Sequence, residues 1–303
     1  MFKFNRFDCA VWAGLLLGFS ARAASAPLPI SRNYTEIQAF MMGMATQYPG
    51  TVQMFDLGTN DQGTLIQGLK IGSGSVHNLV VATHHGNEFG STEVAKAFAA
   101  SVGANPIQAQ TMFVIPVLNV TGYNSRNRRE TLGHSTVDPN RDYPGPCGTE
   151  GPFHLKSTQA LANFVEREGI VTLATLHTFS PAVVYPWGIS THDLETPYTS
   201  LWQQLVQAAV QESQYPTGNS SDVVYPADGC FEDWAFWKQG AWSILFELGG
   251  THSPNATQVA DLEMKNVPGL RRMFEIAPHL RADRHDFSGR CDASMKSLDR
   301  HEE

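Results

Sequence analysis

Basic residues are scarce in this 303-residue sequence, in which 21 lysines and arginines stand against 29 aspartates and glutamates, for a formal net charge of −8. An acidic chain of this kind is not expected to bind nucleic acid or an anionic membrane surface. Long hydrophobic runs are also lacking, since the apolar stretch at residues 10–17 is too short to span a bilayer. Internal repeats and low-complexity blocks are absent. What remains, with 42% hydrophobic residues, is enough for one large globular domain.

Residues 1–23 have the pattern of a secretory signal. Lys3 and Arg6 precede the apolar stretch, and Ala21-Arg22-Ala23 offers a cleavage site. We therefore expect an exported protein, either periplasmic or secreted. The expected organisation is a signal peptide at 1–23, one catalytic domain at 24–281 and a charged, flexible tail at 282–303.

Four cysteines are present, and Cys9 lies inside the signal. The other three are Cys147, Cys230 and Cys291. Export permits disulfides, but an odd number leaves at least one thiol free or paired between chains.

One short motif follows the apolar run Leu79-Val80-Val81. It reads Thr83-His84-His85-Gly86-Asn87-Glu88 and places a histidine and a glutamate three positions apart. Zinc binds imidazole nitrogen and carboxylate oxygen, and a catalytic zinc site uses three protein ligands. His85 and Glu88 are therefore two candidate ligands. His84 would face the opposite way in a strand, so it is not expected to bind the metal.

Two more apolar runs end in residues of the same kinds. Residues 170–176 lead directly to His177, and residues 242–246 lead to Glu247. In an open α/β sheet, ligands bind beyond the carboxyl ends of the strands, so these residues are expected to meet in one crevice. Runs of helical period, at 33–48, 91–101, 155–168 and 198–212, alternate with the strand-like runs. This alternation predicts an α/β fold with a mixed, mostly parallel twisted sheet and helices on both faces.

The ordered set of motifs resembles the zinc carboxypeptidases of the pancreatic type, from about residue 34 to about residue 270. The family's zinc ligands are matched by His85, Glu88 and His177, and its catalytic glutamate by Glu247. Its remaining motifs are matched by Val137-Asp138-Pro139-Asn140-Arg141, by Arg129-Glu130-Thr131, and by Tyr225 ahead of Asp233-Trp234. The resemblance implies one zinc ion per chain and a peptide substrate with a free C-terminal carboxylate.

The resemblance also assigns roles. Zinc would lower the pKa of water to near 7, and Glu247 would accept the water proton. Arg129 would stabilise the oxyanion, with Arg128 as the competing assignment. Asn140 and Arg141 would bind the terminal carboxylate.

Tyr225 would close over the substrate, and Glu232 would lie at the base of the pocket for the C-terminal side chain. An acidic residue there favours basic or amine-bearing side chains, although Glu232 could instead turn aside to pair with Lys238. Alignment with the family also places Cys147 and Cys230 near this pocket and favours a bridge between them.

Other function classes remain open. One is a zinc deacylase or amidase acting on N-acyl amino acids or on cell-wall peptides that contain diaminopimelate. The other is a non-catalytic binding module on the same fold, which would be expected to lack a zinc ligand or the general base. A monomer is expected.

Overall fold

The computed structural model describes residues 28–148, 152–190, 192 and 195–291. The predicted signal peptide lies outside the described residues. Within them the helices are α1 Tyr34–Gln47, α2 Phe89–Ala104, α3 Val120–Ser125, α4 Lys156–Arg167, α5 Thr199–Ala209, α6 Ser220–Val223, α7 Phe231–Gln239 and α8 Ala256–Ile276. The strands are β1 Val52–Thr59, β2 Leu65–Gly72, β3 Val76–Ala82, β4 Gln110–Ile115, β5 Glu130–Leu132, β6 Ser135–Val137, β7 Thr172–His177, β8 Ala182–Tyr185, β9 Thr217–Asn219 and β10 Trp242–Glu247.

Eight of these strands form one mixed sheet in the order β1-β2-β4-β3-β7-β10-β8-β9. Strands β4, β3, β7 and β10 pair parallel with one another, and β9 pairs parallel with β8. The β1–β2, β2–β4 and β10–β8 pairs are antiparallel. The remaining two strands, β5 and β6, form a separate hairpin. The predicted mixed, mostly parallel sheet is confirmed.

The central strands are buried on both faces. Three consecutive residues of β3, Leu79, Val80 and Val81, are each 0% exposed although their side chains alternate between the faces of the sheet. Helices must therefore cover both sides, as continuous apolar runs in parallel strands require. Helix α8 packs against α2 and α5, while α4 packs against β1 and α7. None of the described helices is both long and apolar enough to cross a membrane.

Parallel pairing brings the ends of the central strands to one edge of the sheet. Glu247 at the end of β10 is in register with His177 at the end of β7. Strand β3 pairs with β7 on its other side and ends at Ala82, just before the histidine motif. The crevice expected from the sequence is therefore formed by three adjacent strands.

The disulfide differs from the predicted one. Cys147 pairs with Cys291, and Cys230 is a buried free thiol. The expected Cys147–Cys230 bridge is wrong, because the chain after α8 returns to the loop that carries Cys147.

The first part of the predicted tail packs against the domain. The backbone N–H of Ala282 donates to Gly240 O at 2.8 Å, and His285 Nδ1 lies 2.7 Å from Trp237 O. Together with the Cys147–Cys291 disulfide, these contacts attach residues 282–291 to the domain, in contrast to the loose tail expected there. Residues 292–303 lie outside the described part of the chain.

Candidate active site

Three buried side chains form a compact cluster at the edge where β3, β7 and β10 end. His85 Nδ1 lies 2.7 Å from Glu88 Oε1, and His177 Nδ1 lies 3.0 Å from Glu88 Oε2. The two Nδ1 atoms are 3.2 Å apart. None of the three residues is more than 4% exposed. All their candidate ligand atoms lie within 4.8 Å of one another, as a shared metal ion requires.

The cluster fits zinc in its distances and in the orientation of its rings. Bonds of about 2.0–2.1 Å at tetrahedral angles separate ligand atoms by about 3.3 Å, close to the spacing found here. The second nitrogen of each imidazole has its own partner: His85 Nε2 is 3.0 Å from Asp138 Oδ1, and His177 Nε2 is 3.2 Å from Thr175 Oγ1. Such partners fix the ring orientation of a metal ligand, so both Nδ1 atoms are presented to the site.

The charges in the cluster are balanced by neighbours. Burial alone would raise the pKa of Glu88, but His85 and His177 hold it below its ordinary value. Burial would likewise raise the pKa of Asp138, yet His85, Arg141 and Arg128 keep it well below the usual range. Both carboxylates are therefore ionised at neutral pH. Glu88 can bind a cation, and Asp138 can accept a hydrogen bond from His85.

Gly86 allows the turn between His85 and Glu88 to pass close to α3. A Cβ atom on Gly86 would lie 2.0 Å from the carbonyl carbon of Gly122, nearer than any real side-chain contact. The Gly86 N–H also donates to Arg128 O at 3.2 Å. Glycine is thus required here by the close approach of two backbones.

His84 lies outside the cluster, as the sequence predicts. It is fully buried, with Nε2 at 3.1 Å from the Tyr143 hydroxyl. Burial, followed by the proximity of His177, lowers its pKa well below the ordinary value, so the ring is neutral.

A cavity of about 560 Å³ opens above the cluster, a volume typical of a small-molecule site. Eight of the nine predicted site residues line it: His85, Glu88, His177, Glu247, Asn140, Arg141, Tyr225 and Glu232.

The ninth predicted residue, Arg129, does not line the cavity. It is exposed, whereas its neighbour Arg128 lines the cavity and places Nε 3.1 Å from Asp138 Oδ2. An arginine that is to meet an oxyanion must face the site, so the structure favours Arg128, the competing assignment, over Arg129. Arg129-Glu130-Thr131 is the better match to the family motif in sequence, and only the direction of the side chains favours Arg128.

One wall of the cavity is built from the turn at residues 139–141 and the start of α7. Asn140 Oδ1 accepts a hydrogen bond from the Phe231 N–H at 2.9 Å. Arg141 Nη2 donates to the Tyr225 hydroxyl at 3.1 Å, and Nη1 lies 3.4 Å from Cys230 Sγ. These bonds hold the guanidinium at the cavity surface.

Glu232 is 2% exposed and lines the same cavity. Its Oε2 has no hydrogen-bond partner in the described part of the chain, which is costly for a buried carboxylate. The alternative pairing with Lys238 is not found, because that ammonium lies 3.4 Å from the ring centre of Trp237. Burial and the nearby Glu232 raise the pKa of Asp233 well above its ordinary value.

Two residues of the cavity rim were not predicted. Phe179 is 51% exposed and packs edge-on against His252, with ring centres 4.9 Å apart. His252 Nδ1 is 3.1 Å from Thr178 Oγ1. His252 has no partner at ligand spacing in the sequence, so only the fold brings it to the cavity.

With this geometry established, comparison with known proteins identifies the family. A sequence model of the zinc carboxypeptidase family, peptidase family M14, matches residues 37–267, and the chain belongs to that family.

Curated relatives include human carboxypeptidase B, 27% identical over 260 residues, which cover 71% of this chain and 62% of that protein. Carboxypeptidase B of the crayfish Astacus astacus is 25% identical over 263 residues, covering 72% of this chain and 86% of the relative. The match to the human enzyme thus spans less than two thirds of its length.

Among solved structures, bovine thrombin-activatable fibrinolysis inhibitor, in complex with a tick carboxypeptidase inhibitor, superposes with a TM-score of 0.73 at 20% identity. The match covers 80% of this chain and 95% of that one. At this identity the likeness shows the fold.

The three candidate zinc ligands give a direct prediction. His177→Ala should weaken zinc binding at least about a hundredfold, because even partners outside the ligand set are worth about 10- to 100-fold. His84→Ala is the matched control, since it removes an equally buried histidine that stands just before His85 in sequence and should leave zinc in place. Elemental analysis after dialysis against a weak chelator measures the difference. Full zinc retention by His177→Ala would remove this residue from the ligand set.

Proposed function

We propose that this chain is an exported zinc carboxypeptidase that removes the C-terminal residue of peptides and favours basic or amine-bearing residues. One observation carries the proposal. A single cavity holds a zinc-type cluster, a further glutamate and an arginine beside an asparagine. It also holds Glu232, a buried carboxylate whose Oε2 has no hydrogen-bond partner among the described residues. The pattern of residues 1–23 supports export, and monomeric action is part of the proposal.

Recognition of the chain end is assigned to Arg141 and Asn140. A guanidinium matches a carboxylate with two parallel hydrogen bonds, and the asparagine side chain supplies a neutral amide beside it. The Tyr225 hydroxyl, already bonded to Arg141, adds a donor at the cavity mouth, where the ring is 40% exposed. A free C-terminus would therefore be oriented before the reaction begins.

Proton transfer is assigned to Glu247. Zinc held by His85, Glu88 and His177 would supply a Lewis acid that favours deprotonation of water at neutral pH. Glu247 stands at the end of β10, next to the cluster, and would take the water proton and pass it to the leaving amine.

The developing negative charge on the carbonyl oxygen is assigned to Arg128. Its guanidinium is held at the cavity by Asp138. A single preorganised donor of this kind contributes about 3–4 kcal/mol to transition-state stabilisation.

Glu232 is assigned to the C-terminal side chain of the substrate. A lysine or arginine side chain of the substrate would give this buried carboxylate an oppositely charged partner. The proposal agrees with the name carboxypeptidase B that several relatives carry. At 25–27% sequence identity, that name does not by itself establish the substrate preference of this chain.

A substitution tests this preference. Peptides ending in Lys should be cleaved at least about tenfold more efficiently than the same peptides ending in Leu, because a desolvated charge pair is worth a few kcal/mol. Glu232→Gln should reduce that ratio toward one. Asp228→Asn is the control, since it removes the same charge from the same segment but does not line the cavity. Measurement is by kcat/KM on both peptides, and an unchanged ratio in Glu232→Gln would overturn the acidic-pocket assignment.

A second candidate function is an amidase acting on cell-wall peptides. A murein-tripeptide amidase of Escherichia coli O157 shares the fold, with a TM-score of 0.54 at 16% identity. The side-chain amine of diaminopimelate would also suit Glu232.

Product analysis separates the two functions. Mass spectrometry of digests should show single residues released stepwise from the free C-terminus of ordinary L-peptides. Cleavage confined to peptides with a diaminopimelate residue would favour the amidase instead.

A further inference from the structure

Thr83 occupies a backbone conformation that suits its residue type poorly. It follows the last residue of β3 and has φ of 61°, in the left-handed region. Such conformations are unfavourable for a β-branched side chain and are common only for glycine and, less so, asparagine. Thr83 is fully buried and stands two residues before the zinc ligand His85. Unfavourable conformations of this sort persist only where surrounding contacts hold them.

The Thr83 hydroxyl makes those contacts. Its Oγ1 lies 2.6 Å from Thr92 Oγ1, 3.3 Å from Ser91 Oγ and 3.2 Å from Pro116 O. Ser91 Oγ in turn donates to the carbonyl of the zinc ligand Glu88 at 2.6 Å. Thr83 precedes the turn that carries His85 and Glu88, and α2 follows that turn. The Thr83 hydroxyl is thus hydrogen-bonded to the first turn of α2.

This hydroxyl network closes the turn from Thr83 to Glu88. The backbone is also fixed from outside, because the Asn119 N–H donates to Thr83 O at 3.0 Å. Glycine would adopt φ of 61° without steric conflict, but it would leave Thr92, Ser91 and the Pro116 carbonyl without this partner. The hydroxyl is therefore the contribution that glycine could not make.

We propose that Thr83 is a positioning residue for the metal site: its hydroxyl joins the two ends of the ligand-bearing turn and so fixes the spacing of His85 and Glu88. The inference rests on the zinc binding of the proposed function. Because two of the three ligands lie in this turn, loosening it weakens zinc binding even in a folded protein.

Three substitutions test the role. Thr83→Ser keeps the hydroxyl and should bind zinc within about threefold of the parent. Thr83→Gly and Thr83→Val lack the hydroxyl and should bind zinc at least about tenfold more weakly, the size found for partners beyond the ligands themselves. The zinc dissociation constant is measured by competition with a chromophoric chelator, and circular dichroism of the zinc-free proteins verifies folding. Where Thr83→Val fails to fold, the comparison of Gly with Ser decides.

Thr111→Val is the matched control. Thr111 is equally buried and its Oγ1 donates to Gly74 O at 2.7 Å, but it lies near the opposite end of β4. Its loss should lower thermal stability and leave zinc affinity within about twofold.

The inference is overturned if Thr83→Gly binds zinc as tightly as the parent. Loss of the hydroxyl would then have no effect on the metal site, and the substitution would only relieve the unfavourable backbone conformation. It is also overturned if Thr83→Ser loses as much affinity as Thr83→Val. A parent protein that binds no zinc overturns the proposed function as well.

Discussion

Glu247→Gln should lower kcat by about a hundredfold to ten-thousandfold while the protein keeps its zinc and its fold. The substitution removes the proton acceptor and changes little in shape, and general acid–base catalysis contributes about 10²–10⁴ to a rate. Glu247 is partly exposed at the cavity surface and lies beside His177 in the register of the sheet, but it is not one of the clustered ligand residues. Its loss should therefore affect the reaction and not the metal.

The measurement is kcat on a peptide ending in Leu, with zinc content and circular dichroism on the same samples. Asp228→Asn is the control on this substrate, because it removes a carboxylate that does not line the cavity and should leave turnover nearly unchanged. Activity of Glu247→Gln within about threefold of the parent would show that another group accepts the proton.

Blocking the terminal carboxylate of the substrate as an amide should reduce kcat/KM at least about a hundredfold. Arg141 would then face a neutral group in place of the anion, and loss of one partner from a buried charge pair costs about 2–5 kcal/mol. The guanidinium is fixed by Tyr225 and by the Asn140 carbonyl, so it cannot turn away to another anion at no cost.

Arg141→Ala tests the same point from the enzyme side. This variant should cleave the free peptide poorly and lose most of its discrimination against the amide. If the parent cleaved amidated and free peptides equally well, the assignment of Arg141 and Asn140 to the terminal carboxylate would be wrong. An endopeptidase or deacylase activity would then replace the proposed carboxypeptidase activity.

Much of the site could be predicted from sequence because its residues follow strand ends. His177 and Glu247 each end an apolar run that forms a central parallel strand, and His85 and Glu88 lie in the turn that follows a third such strand. Parallel strands bring their carboxyl ends together, so order along the chain was sufficient to bring these four residues to one place.

The features that sequence could not predict depend on side-chain direction or on long-range return of the chain. Arg128 and Arg129 differ only in which of two adjacent side chains faces the cavity. Cys147 pairs with Cys291 across a separation of 144 residues, which motif spacing does not encode. The left-handed conformation of Thr83 is unexpected for a β-branched residue and becomes visible only in the fold.

Zinc titration into metal-free protein tests the central claim most directly. The chain is stripped with a chelator and dialysed, and release of the C-terminal lysine from a peptide is followed as zinc is added in steps. We expect no release without metal, a linear rise, and a plateau at one zinc per chain, with no recovery in His177→Ala. Full activity in the metal-free protein, or cleavage away from the C-terminus at the plateau, would contradict the account.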